Sequence, residues 1–202
     1  MSERRLNDCR RCPRLVRHRR EAASTADYWA RPVPAAGPDD ARLLVVGLAP
    51  GAEGANRMGA PFYGDDAGAV LRRRLASVPT AVRITNAVKC LPPQNRPSLA
   101  EVRRCQPYLA DEILALREAG HQAGLPAVIL ALGVIAHKAV VEALAIEPGR
   151  YRFQHGALWQ PHRGLFLLDS YHCSRYNIHT RRLTEPQFAA VIDRAAGLLG
   201  RP

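Results

Sequence analysis

Arg42-Leu-Leu-Val-Val-Gly47 runs directly into Leu48-Ala-Pro-Gly51. An unbroken apolar run with β-branched residues, closed by glycine, reads as a strand buried on both faces. The loop it enters, Leu48 to Gly68, is glycine-rich and unusually long for a compact domain, which points to a functional segment. Strand and helix signals alternate from there. A helix is expected over about Asp66 to Ala76, with Val70, Leu71 and Leu75 facing inward. Val82-Arg-Ile-Thr-Asn-Ala-Val-Lys89 reads as the second strand, broken by Cys90-Leu-Pro-Pro-Gln-Asn-Arg-Pro97.

Ser98 with Glu101 forms a capping box. It opens a helix to about Glu118, with a kink expected at Pro107, just after Cys105. Pro126 to Leu132 is a third strand, and Gly133 turns the chain into a helix to about Leu144. Residues 148–163 read as an irregular or short antiparallel excursion, and Gly164 to Asp169 as the fourth strand. Thr184, Pro186 and Gln187 start the last helix. Upstream, residues 31–40 hold Pro32, Pro34, Gly37 and Pro38 and read as a linker.

Four strand–helix alternations imply one α/β domain over residues 1–202: a three-layer α/β/α sandwich around a four-stranded parallel sheet. Ligands of such sheets sit beyond the carboxyl ends of the strands. The segments leaving strands one, two and four there are 48–68, 90–97 and 170–182.

The chain of 202 residues carries 29 Lys and Arg against 18 Asp and Glu, a formal net charge of +11. That excess attracts polyanions. An arginine-rich composition would produce it too, so charge alone leaves nucleic-acid binding open. No apolar run is long enough to span a bilayer, and Met1-Ser-Glu-Arg-Arg5 leads into polar residues, unlike a secretory signal. The expectation is a prokaryotic cytoplasmic monomer with access to the chromosome and no membrane partner.

Five cysteines, Cys9, Cys12, Cys90, Cys105 and Cys173, do not form a disulfide framework in that compartment. Cys9-x-x-Cys12 with Cys90 and Cys105 could supply four thiolates to a [4Fe–4S] cluster or a tetrahedral zinc. The spacing allows either. In both cases the metal centre would staple the N-terminal segment, residues 1–40, to the sheet.

Several motifs then occur in order: Cys9-x-x-Cys12-Pro-Arg-Leu15, Gly47-Leu-Ala-Pro-Gly51, Gly54-Ala-Asn-Arg57, Gly59-Ala-Pro-Phe-Tyr-Gly-Asp65, Ile84-Thr-Asn-Ala-Val-Lys-Cys90, His172-Cys-Ser-Arg-Tyr-Asn177 and Arg182-Leu-Thr184. Together they resemble the iron–sulfur uracil-DNA glycosylases, type-b (family 5), over residues 9 to about 190. Family 4 relatives carry a glutamate where this chain has Leu48. Two departures stand out. The superfamily usually has His-Pro-Ser where this chain has His172-Cys173-Ser174, and glycine where it has Arg181.

The resemblance implies a [4Fe–4S] cluster on Cys9, Cys12, Cys90 and Cys105. It also implies a substrate of DNA containing deaminated bases: uracil, with hypoxanthine and xanthine as further candidates. Phe62 would stack on the flipped base, Asn86 would read its edge, and Ala49 and Gly51 would line the pocket. His172 would hydrogen-bond the departing uracil. Asp65 is read both as the group that orients water and as a helix N-cap, with Asn56 as a second water-positioning candidate. Ser174, Arg175 and Tyr176 would enter the minor groove, and Arg181 and Arg182 would meet phosphates. The competing readings are a non-catalytic iron–sulfur DNA-binding protein on the same fold and a zinc-stabilised hydrolase of small nucleotides.

Overall fold

The structure, a computed structural model, describes residues 6–23, 27–147 and 149–200. Met1 to Arg5, read above for a secretory signal, lie outside them. The elements in chain order are α1 (Pro13–Glu21), β1 (Leu43–Gly47), α2 (Ala55–Met58), α3 (Asp66–Leu75) and β2 (Val82–Asn86). After a short 3-10 turn (Pro93–Asn95) come α4 (Leu99–Ala123), β3 (Ala127–Leu132), α5 (Val134–Ala143), β4 (Leu158–His162), β5 (Leu165–Ser170), α6 (Arg175–His179) and α7 (Glu185–Leu199).

The sheet order is β2-β1-β3-β5-β4. The first four strands are mutually parallel, as expected, and the 148–163 excursion adds β4 as an antiparallel edge strand on β5. Every residue of β1 and β3 is buried, because alternate side chains serve two cores. Leu44, Val46, Ile129 and Leu167 pack with Leu109, Ile113 and Leu116 of α4 and Val140 of α5. Leu43, Val45, Val128, Leu130 and Leu168 pack with Leu71 and Leu75 of α3 and Phe188, Val191 and Ile192 of α7.

Two expectations need correction. α4 does not end near Glu118 but runs as one helix from Leu99 to Ala123, with Pro107 inside it. Pro107 and Arg103 lie on the exposed side, so the carbonyl that proline leaves without a partner meets water. The flanking Cys105, Tyr108 and Leu109 are buried and hold the helix in place. Residues 31–40 are not a free linker either. Ala36 bridges Ile84 antiparallel, and Val33 N donates to Lys89 O at 2.7 Å. This stretch covers the open edge of β2, which would otherwise present unpaired backbone groups.

Buried ion pairs fix the remaining joints. Lys89, fully buried at the exit of β2, donates to both carboxylate oxygens of Glu112 on α4 at 2.8 Å. His137 on α5 lies 2.8 Å from Asp169 Oδ1 through Nδ1 and 3.1 Å from the Tyr151 carbonyl through Nε2. Both partners are acceptors, so both ring nitrogens donate and the imidazole is cationic. Burial pulls the His137 pKa down. The hydrogen bond and charge of Asp169, with the Tyr151 carbonyl, outweigh that, and the net position is above the ordinary histidine range.

A folded-state pKa raised above the unfolded value near 6.5 adds stability at low pH that is lost as pH climbs through the raised value. The stability gap between wild type and His137→Gln, measured by thermal melts across pH, should therefore be largest below about pH 6.5 and shrink above it.

Candidate active site

A cavity of about 290 Å³ opens at the carboxyl ends of the strands. The exit of β1 supplies Leu48, Ala49 and Gly51, and the loop beyond it Ala55, Phe62, Asp65 and Ala67. β2 supplies Asn86 and the turn after it Asn95, while the segment after β5 supplies His172 and Ser174. The three crevice segments expected from the sequence thus meet at one space, and Phe62, Asn86 and His172 share it.

Glycines make the convergence possible. Gly47 ends β1 in register with Asn86 on β2. A Cβ on Gly47 would sit 2.5 Å from Asn86 Oδ1 and 2.6 Å from the Phe62 ring. One on Gly68 would sit 1.9 Å from the Phe62 carbonyl. Phe62 itself has φ +54, a conformation that L-residues rarely adopt, and Arg72 Nη1 donates to its carbonyl. The backbone is held so that a buried ring faces the cavity. The sequence marks Gly47 as the end of a strand and Gly68 as the end of a glycine-rich loop, but neither as a point of close approach.

Asn86 is 3% exposed, and its side-chain amide bonds to no other described residue, leaving a donor and an acceptor for a ligand. The His172 ring lies 5.6 Å from the Phe62 ring, centroid to centroid, at 24°. Burial holds the His172 pKa below the ordinary range, with Asp65 pulling the other way. The imidazole is therefore neutral at neutral pH and carries one N–H to donate.

Of the two readings of Asp65, the structure shows the helix N-cap. Oδ1 accepts the Gly68 N–H at 2.7 Å as the N-cap of α3, and Oδ2 lies over Gly51 and Gly54, 3.5 and 2.7 Å from where their Cβ atoms would be. Asn56 does not join the site. It is fully buried on α2, outside the cavity lining, and its Nδ2 donates to Arg19 O at 3.3 Å. Its side chain anchors α1.

The segment after His172 is a short helix rather than an open loop. Ser174 caps α6 by accepting the Asn177 N–H, and Asn177 Nδ2 donates to His172 O at 2.8 Å, which fixes the histidine backbone. Cys173 is fully buried and donates to Ala67 O at 3.5 Å, tying the histidine segment to the start of α3. Arg175 and Tyr176 project outward, with Arg175 3.7 Å from Asp66. Arg182 lies over the Tyr171 ring, 4.8 Å from its centroid. Arg181 has φ +56, a left-handed conformation that glycine adopts at the least cost.

Cys9, Cys12, Cys90 and Cys105 border one small cleft with Arg11, Arg19, Lys89 and Arg104. Burial pushes the Cys90 thiol up to about 12 and the Cys105 thiol up to about 11. Arg19 Nη1 donates to Cys90 Sγ at 2.7 Å. Four soft donors ringed by cations suit an anionic thiolate-bound centre. Among the described residues, no group of three or more His, Cys, Asp or Glu is arranged to hold a metal ion. None of the helices described is long and apolar enough to cross a membrane.

A model of the uracil DNA glycosylase superfamily matches residues 34–196. A protein of Thermus thermophilus named type-5 uracil-DNA glycosylase is 39% identical, over 96% of this chain and 95% of that one. A type-5 uracil-DNA glycosylase of Pyrobaculum aerophilum is 38% identical over 97% and 91%. A type-4 uracil-DNA glycosylase of the same organism is 36% identical over 69% and 62%.

Replacing Arg181 with glycine should relieve the left-handed strain, partly offset by the greater freedom of the unfolded chain. A gain of about 0.5–1 kcal/mol in denaturant unfolding is expected.

Proposed function

The chain belongs to the uracil DNA glycosylase superfamily, and from that premise we propose that it removes uracil from DNA by hydrolysing the N-glycosidic bond, leaving an abasic site. The observation that carries this reading is one cavity bounded by an aromatic face, an unpaired amide and a neutral imidazole, Phe62, Asn86 and His172.

A base inside a duplex cannot be reached, so the target nucleotide is flipped into the cavity. Phe62 stacks on it. The donor and acceptor of Asn86 match the uracil edge. As the bond to the sugar breaks, negative charge grows on the base and positive charge on the sugar. A neutral His172 N–H is placed to meet the first without a competing charge in the ground state. Asp65 Oδ2, free of the helix cap, holds the attacking water or stabilises the sugar cation. Ala49 and Gly51 wall the pocket with little bulk, which leaves room for deaminated purines such as hypoxanthine and xanthine. Ser174, Arg175, Tyr176, Arg181 and Arg182 follow the histidine toward the duplex. They would hold the vacated space and the phosphates without reading sequence. Every residue invoked comes from one chain, so a monomer suffices for this chemistry. Its substrate would place it with chromosomal DNA in a prokaryotic cytoplasm.

Cys9, Cys12, Cys90 and Cys105 would hold a [4Fe–4S] cluster. Four thiolates suit a cluster or a single zinc, and the likeness of the motifs to those of the iron–sulfur glycosylases supports the cluster. Its part is structural: it ties α1 to β2 and α4. Iron analysis of anaerobically purified protein should find roughly four iron atoms per chain, lost together with the visible absorbance in a Cys9→Ala, Cys12→Ala double variant. Zinc in stoichiometric amount would remove this assignment.

His172→Ala and Asn86→Ala should each slow single-turnover uracil release by roughly 10²–10³-fold, with duplex affinity within a few fold. The histidine must be neutral and its pKa is depressed. The release rate should therefore stay level as pH falls through about 6.5 and drop only below it. A wild-type protein that binds uracil-containing duplex and yields no abasic product would instead be a non-catalytic DNA-binding protein.

A further inference from the structure

Asn95 lines the same cavity, and none of the roles above uses it. It sits in the turn after β2. Both it and Gln94 have φ +54, two successive residues in a left-handed conformation that carries a conformational cost. The turn is braced from two sides. Asn95 N donates to Pro92 O at 3.2 Å. Arg14 Nη2 donates to Arg96 O at 3.3 Å while the same guanidinium grips Glu101 at 2.6 and 2.9 Å. The brace and the strain leave the Asn95 side chain exposed at the cavity, with its amide bonded to no other described residue.

Its position in the sheet gives it meaning. In the order β2-β1-β3-β5-β4, the exits of β2 and β5 flank those of β1 and β3. Asn95 follows β2 and Ser174 follows β5, so the cavity is lined from both flanks by residues of the two outer crevice segments. The base edge is served from within by Asn86, which is buried, whereas Asn95 is exposed. When a nucleotide is flipped, its base goes in and its sugar-phosphate stays at the mouth.

We propose that Asn95 donates its amide N–H to a phosphate oxygen beside the flipped nucleotide, so that the strand is held on the β2 flank as well as on the Ser174–Arg182 flank. This rests on the DNA-glycosylase reading. It adds a second jaw, one whose position is set by Arg14 in the cysteine-bearing N-terminal segment.

The test compares wild type, Asn95→Gly and Asn95→Asp on a uracil-containing duplex, by fluorescence anisotropy and single-turnover cleavage. Glycine accepts the left-handed backbone, so Asn95→Gly removes the amide without the strain that alanine would meet. The expected result is an about tenfold rise in Kd for Asn95→Gly, with the cleavage rate constant falling by at most about twofold. Asn95→Asp should bind more weakly still at low salt, because a carboxylate repels phosphate, and the gap between the two variants should close as salt rises. Unaltered Kd in Asn95→Gly overturns the inference. So does a loss confined to the cleavage step or dependent on base identity, either of which would make Asn95 a base-reading residue. If wild type cleaves and Asn95→Gly matches it, only this inference falls. If wild type does not cleave, the parent reading falls and takes this one with it.

Discussion

The site exists because β1 ends in a residue without a side chain. At Gly47 the Asn86 amide oxygen and the Phe62 ring both occupy the space that any Cβ would need. Strand pairing puts Asn86 opposite Gly47, and the loop after β1 doubles back to lay Phe62 over the same spot. Gly68 repeats the constraint one step further on, letting the Phe62 carbonyl reach the first turn of α3. A polar amide and an aromatic face, drawn from different parts of the chain, are thereby held in contact with one cavity before any ligand arrives. Preorganisation of this kind is what electrostatic stabilisation of a departing base requires.

The histidine side of the pocket is held by different means. Asn177 fixes the His172 carbonyl, and the Cys173 thiol reaches the Ala67 carbonyl beside the helix that Asp65 caps. Cys173 thus links the histidine segment to the opposite wall through a buried sulfur contact. The N-terminal segment attaches just as firmly. Arg14 to Glu101, Arg19 to Cys90 and the Ala36–Ile84 bridge join it to β2 and α4.

The alternation of apolar strands with capped helices was enough to foretell the parallel core, since each depends on local residues such as Ser98 with Glu101 or the Leu43–Val46 run. The fifth strand and the docking of residues 31–40 were not, because both are decided by an edge that only the assembled sheet presents. At the site, Phe62, Asn86 and His172 came from motif resemblance and meet at one cavity. Asn56 shared a motif with them, yet its side chain turns toward Arg19, a direction set by the packing of α1. Asn95 carried no signal of its own beyond lying among prolines in the 90–97 crevice segment. Its left-handed conformation and its place at the cavity are tertiary facts.

Crystallisation with a duplex carrying a non-hydrolysable 2′-fluoro-deoxyuridine tests the account most directly. The extruded uracil should lie against the Phe62 ring, with Asn86 on its pairing edge and a His172 nitrogen within hydrogen-bond reach of O2. A uracil that stays stacked in the helix, or enters a different part of the protein, would contradict it.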